Sequence, residues 1–149
     1  MADKLDLTGE IAKAVDGAAL RGKTLALGYL GDDGYPAVSF RGSTQVHGPE
    51  QLAIWARKAD EGFAKAIAER PQVSLVYYGG PDGPGPMFLS FKGRARVDPS
   101  ADEQVWSRMI EGEQQQDPDR HGVAVVVEVE RVEGFAATGP FVMERDEGV

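Results

Sequence analysis

The chain has 149 residues with 24 acidic and 16 basic side chains, a formal charge of −8, and no cysteine. That length suits one domain of ordinary size. The acidic balance argues against broad binding to nucleic acid or anionic membrane, and the missing thiols exclude disulfides, thiolate metal sites and a cysteine nucleophile.

Leu7, Ile11, Val15 and Ala19 recur every four residues and predict an N-terminal helix over 7–20, with Asp6 or Thr8 as N-cap and Gly22 as its end. From Thr24 the period becomes two, with Leu25, Leu27 and Tyr29 on one face, and Asp33-Gly34 supplies a hairpin turn. The next strand is expected over 35–46, with Val38, Phe40, Thr44 and Val46 opposite Ser39, Arg41, Ser43 and Gln45. His47-Gly48-Pro49 breaks it, and a third strand follows over 51–57. A short helix is expected between Asp60 and Arg70, stopped by Pro71, then a strand over 73–78 and a glycine- and proline-rich loop over 79–86. Alternation returns over 87–97. Ser100 and Glu103 fit a capping box for a helix with Val105, Trp106, Met109 and Ile110 buried, and a polar stretch follows over 113–119. Residues 123–132 alternate valine with glutamate, and the chain continues through 135–142 to a short tail over 143–149. No internal repeat or second boundary is visible. About six strands with few helices predict a mainly β, α+β single domain built as a small antiparallel barrel.

His47 and His121 stand apart beside glycines, with no ligand spacing, so a metal site is not expected. No GxSxG elbow is present, and the glycine-rich loop lacks the GxGxxG spacing and the following helix of a dinucleotide fingerprint. Asp32-Asp33-Gly34 reads as turn chemistry. What remains is cationic: Arg41 among Ser39, Ser43 and Gln45, then Arg57, Lys58 and Lys65. A guanidinium grips phosphate bidentately and serine or lysine adds donors, so Arg41, Ser43, Arg57 and Lys58 form a candidate phosphate cradle. An ordinary solvated sheet face carries the same residue types, and pattern alone favours that reading.

The ordered series TLALGYLGDDGYPAVSF, RGSTQVHG-PEQLAIWAR, AIAERPQVSLVYY and FKGRARV, over about residues 5–144, resembles the pyridoxamine 5′-phosphate oxidase-like family. The resemblance implies a six-stranded antiparallel split β-barrel, an obligate homodimer with FMN at the subunit interface, and oxidoreductase chemistry on a small-molecule substrate. Some relatives use the deazaflavin coenzyme F-420 instead, and a non-catalytic ligand-binding or stress protein on the same fold is a third reading. Carried over, Arg41 and Ser43 face the flavin, and Arg57 and Lys58 hold its phosphate. The longer anionic deazaflavin tail would recruit Lys65 or Arg94. Where the family commonly has a lysine in the short helix, this chain has Phe63, with Lys65 two residues later. The resemblance supplies no catalytic protein side chain, since the cofactor carries the redox chemistry. With no export signal or apolar span in view, the cytoplasm is the expected location.

Overall fold

A computed structural model describes residues 2–81 and 84–146. Its elements are β1 (Asp3–Lys4), α1 (Glu10–Asp16), β2 (Ala26–Leu30), β3 (Pro36–Phe40), β4 (Gln45–Gly48), β5 (Gln51–Ala56), α2 (Gly62–Glu69), β6 (Gln72–Gly79), β7 (Met87–Val97), α3 (Asp102–Arg108), α4 (Glu111–Gln114), β8 (Val123–Ala136) and β9 (Gly139–Glu144). Among the described residues the strands form one connected sheet, in the order β1-β9-β8-β7-β6-β2-β3, with β5 attached to β8 and β4 to β5. All pairings are antiparallel except the short β1–β9 contact. No helix among the described residues is long and apolar enough to cross a membrane.

β8 explains why the barrel is split. Its first half, Val123 to Glu128, pairs with β5, and its second half, Arg131 to Ala136, pairs on the same edge with β9. β7 runs along the other edge throughout, with a register shift between Lys92 and Gly93 where the sheet changes direction. A Cβ on Gly93 would strike the Glu128 carbonyl, and one on Gly134 would strike the Phe88 carbonyl, so both glycines allow strands to pass in close contact. Gly134→Ala is therefore expected to lower stability by about 2 kcal/mol or more, seen as a lower midpoint in urea denaturation.

Val125, Val127, Val129 and Val132 point into the main core with Leu27, Leu52, Leu75 and Phe91. Ala124 and Val126 are buried on the opposite face of β8 against Trp55, Val105, Trp106 and Met109. The run Val123-Ala124-Val125-Val126-Val127 thus serves two cores, which is why apolar residues interrupt its expected alternation.

Several sequence expectations change. The N-terminal helix spans only Glu10–Asp16, and Ala18 rather than Ala19 is buried after it. Its N-cap is Gly9; Asp6 instead closes a local turn, accepting from the amide and hydroxyl of Thr8. The single strand expected over 35–46 is two strands, because Gly42-Ser43-Thr44 makes a turn in which both the Thr44 amide and hydroxyl donate to the Arg41 carbonyl. After the turn Thr44 and Val46 are buried, while before it Val38 and Phe40 are exposed. No Ser100–Glu103 box forms: Asp98 caps a single 3-10 turn over Pro99–Ala101, accepting from the Ser100 amide and hydroxyl, and α3 continues from it with Ala101 at its N-cap. Part of the polar stretch after α3 forms α4. Met143 and Glu144, expected in a tail, belong to β9 and pair with Asp3 and Lys4. Arg145, also expected in the tail, donates to the Val129 and Glu50 carbonyls, while tail residues 147–149 and residues 82–83 of the expected 79–86 loop lie outside the described residues.

Candidate functional site

Two adjoining cavities open where β3 and β5 end. One has a volume of 440 Å³ and is lined by Tyr29, Arg41, Arg57, Lys58, Phe63 and His121, among others. The other has a volume of 290 Å³ and includes Phe40, Arg41, Trp55, Arg57, Ile110 and Glu113 in its wall. Arg41, Arg57 and Gln116 line both, so the cavities form one bilobed site with the two guanidinium groups at the junction.

Arg41 follows the last residue of β3 at the turn that redirects the chain into β4. Its Nε donates to the Ser39 hydroxyl at 3.0 Å, and its guanidinium carbon lies 4.9 Å from the centre of the Phe63 ring. Phe63 is buried at the start of α2 and packs against Tyr29 with ring centres 5.2 Å apart. The residue standing where a lysine was expected thus adds no charge; it supports Arg41 with the face of an aromatic ring. Burial, followed by the nearby positive charge of Arg57, lowers the Arg41 pKa against the opposing influence of Tyr29. Among the described residues neither Arg41 nor Arg57 forms an ion pair, although ion pairs are plentiful elsewhere. A half-buried guanidinium without a counter-anion suits an anionic group arriving from solution.

Ser43 is 4% exposed and committed to the fold: its hydroxyl accepts from the Trp55 amide at 2.9 Å and reaches the Trp55 carbonyl at 3.5 Å. It lines the smaller cavity while pinning the turn to β5. Arg57 and Lys58 are exposed just after β5; Lys58 lies 3.7 Å from Glu61, with both side chains largely in solvent. That pair is weak enough to yield to a better anion. Lys65 is exposed on α2 and lines neither cavity. Arg94, on β7, pairs with Glu130 outside this site.

The sequence reading missed the third wall. Asp117, read as part of a polar stretch, is buried. One carboxylate oxygen accepts from the Trp55 indole at 2.9 Å and the Gly122 amide at 2.8 Å; the other accepts from the His121 amide at 2.9 Å. Burial alone would raise its pKa, but these three donors together outweigh it and hold the carboxyl below its ordinary value. The contacts bring Gln116 and His121 against the cationic junction. Nothing in local spacing marks them, because the link from Asp117 to Trp55 spans 62 residues. Among the described residues no cluster of three His, Asp or Glu side chains could hold a metal ion.

No protein-family model matches this chain, and no curated protein matches it. Solved structures do. A pyridoxamine 5′-phosphate oxidase-related, FMN-binding protein from Nostoc punctiforme superposes with a TM-score of 0.67 at 13% identity, covering 91% of this chain and 87% of its own. A Clostridium acetobutylicum protein related to general stress protein 26, of the pyridoxinephosphate oxidase family, gives 0.62 at 14% identity, covering 93% and 98%. An FMN-binding protein from Syntrophomonas wolfei gives 0.63 at 8% identity, covering 84% of each chain. The mainly antiparallel sheet divided along β8, together with these likenesses, shows that the chain has the split-barrel fold of the pyridoxamine 5′-phosphate oxidase family.

Proposed function

We propose that the bilobed cavity binds FMN and that the protein is a flavin-dependent oxidoreductase acting on a small molecule. The observation that carries this reading is the pair of arginines, Arg41 and Arg57, lining one cavity without a carboxylate partner among the described residues. With Lys58 they offer forked and point-charge donors to a phosphate, while Tyr29 and Phe63 give the same cavity an aromatic wall. Bound flavin would supply the hydride chemistry; the chain's own residues bind it, orient it and balance its charge. Fold likeness to proteins described as FMN-binding supports the choice of ligand. Titration of the purified protein with FMN, followed by quenching of flavin fluorescence, tests it: saturable binding is expected. A protein that binds FMN but reduces no acceptor would be a carrier or sequestering protein.

The deazaflavin coenzyme is the second reading. Lys65, exposed on α2 outside both lobes and without an ion pair among the described residues, is the cation that its longer anionic tail would have to reach. Parallel titration separates the two. Tighter binding of the deazaflavin, weakened by Lys65→Ala, would select it over FMN.

The proposed enzyme is a homodimer. Phe40, Ala26 and Val76 are in register across β3, β2 and β6, and Val38 and Tyr78 extend this patch. Phe40 is 77% exposed and Val38 73%, unusual values for large apolar residues sharing one strand face. Phe40 also lines the 290 Å³ cavity, so a second copy seated on this face would border the site. In a two-fold interface each substitution acts twice. Phe40→Asp is therefore expected to convert a dimer into a monomer in light scattering coupled to size exclusion, with the fold retained. A monomeric wild-type protein at micromolar concentration would overturn the assignment.

A further inference from the structure

Glu113 is the one carboxylate in the wall of the 290 Å³ lobe, which it shares with Arg41 and Arg57. It forms no ion pair with either arginine among the described residues. Its only side-chain hydrogen bond there is a long one, 3.4 Å, donated by the Gln116 amide. Its backbone, by contrast, is held. The α4 backbone begins with the Glu113 amide donating to the Ile110 carbonyl at 3.0 Å, and the carboxylate lies directly over Gly42. A Cβ at Gly42 would stand 2.6 Å from Glu113 Oε2 and 2.8 Å from its Cδ. The turn after Arg41 therefore leaves room for this acid beside the cationic junction.

A carboxylate has about four lone-pair directions to fill. A ligand that displaces its water without supplying donors leaves it under-solvated, and an anionic ligand adds repulsion. The site thus asks for opposite chemistry at two points: an anion at Arg41, Arg57 and Lys58, and an N–H donor or cation at Glu113. We propose that Glu113 is a specificity-determining residue that selects ligands carrying both an anionic group and an N–H group. This rests on the reading of the cavity as a phosphate-ligand site and sharpens it. The N–H group is either the imide of a flavin ring or the ammonium of another phosphate-bearing ligand.

The test uses two sets of probes with wild-type protein, Glu113→Gln and Glu113→Ala. The first set pairs ω-aminoalkyl phosphates of increasing chain length with alkyl phosphates of the same length, measured by calorimetry. The wild type is expected to favour the amine-bearing member about 10-fold or more at the length that spans the two points. Both variants should lose that preference, with unchanged or tighter binding of the plain alkyl phosphate. The second set pairs FMN with its N3-methyl derivative. A preference for FMN that disappears in Glu113→Ala assigns the contact to the flavin imide. Equal binding of the two flavins, with the amine preference retained, assigns it to the ammonium of another phosphate-bearing ligand. If FMN fails to bind while the Glu113-dependent amine preference persists, the flavin reading falls and this inference stands. No Glu113-dependent preference in either set overturns the inference, whatever the affinity for FMN. Circular dichroism of both variants confirms that the fold is intact.

Discussion

Arg57→Ala is expected to weaken FMN binding by about 10- to 100-fold, because a charge-assisted hydrogen bond to phosphate contributes about 1.5–3 kcal/mol. Arg57 is exposed at the end of β5 and holds no ion pair among the described residues, so its removal should change stability little. That separation makes the result interpretable: affinity falls while the thermal midpoint of the unliganded protein stays nearly fixed. Arg57→Lys should fall between the two, since lysine restores the charge but not the fork. Arg41→Ala should match or exceed the loss and also carry a small stability cost, because Arg41 packs on Phe63 and donates to Ser39. Raising the ionic strength should reduce wild-type affinity more than Arg57→Ala affinity, since one of the charges sensed by the ligand is gone. FMN affinity in Arg57→Ala equal to that of the wild type would remove the phosphate from this junction.

The residues that serve this prediction were the most legible in the sequence. In the sequence Arg41 stands inside the strand expected over 35–46 and Arg57 closes the next, so it is their charge among polar strand positions that marks them; only the turn at Gly42 puts Arg41 at the end of β3. Their neighbours were less legible. Ser43 has the residue type of a ligand contact, but the turn at Gly42 turns it inward, where its hydroxyl meets the Trp55 backbone. A Gly-Ser-Thr segment satisfies strand alternation as well as a turn does, and only the tertiary need to redirect β3 into β4 decides between them. Val38 and Phe40 were read correctly as sharing a face, yet periodicity cannot say whether a face meets the barrel interior or the surface. In the sequence Phe63 reads only as an absent cation; its contact with Arg41 shows what it does there. Gln116, Asp117 and His121 arrive through a long-range indole–carboxylate bond that has no local signature.

That bond has the largest structural consequence. Asp117→Ala would leave the Trp55 indole and the His121 and Gly122 amides without their acceptor. An unsatisfied buried donor costs about 1–3 kcal/mol, and with water replacing some of the lost contacts a destabilisation of about 2–4 kcal/mol is expected. For a chain of this length that lowers the thermal midpoint by roughly 5–15 °C. Asp117→Asn keeps one acceptor oxygen but turns an amide N–H₂ toward the remaining donors, so it should be intermediate. The pH dependence gives the effect its signature. The folded-state pKa of Asp117 lies below the unfolded value, so the stabilisation is fully present above the unfolded carboxylate pKa, about 3.9. It is lost as pH falls through the depressed folded value. The stability gap between wild type and Asp117→Asn in urea denaturation should therefore be constant from neutral pH down to about 5 and narrow in stronger acid. A gap that widened on acidification would mean that the carboxyl is held protonated in the fold, contrary to its three N–H donors. Because the same contacts hold Gln116 and His121 against the cationic junction, Asp117→Asn should also weaken FMN binding without removing any residue proposed to touch phosphate. A stability loss with FMN affinity unchanged would separate this wall from the ligand, leaving Asp117 to hold only the packing of Trp55.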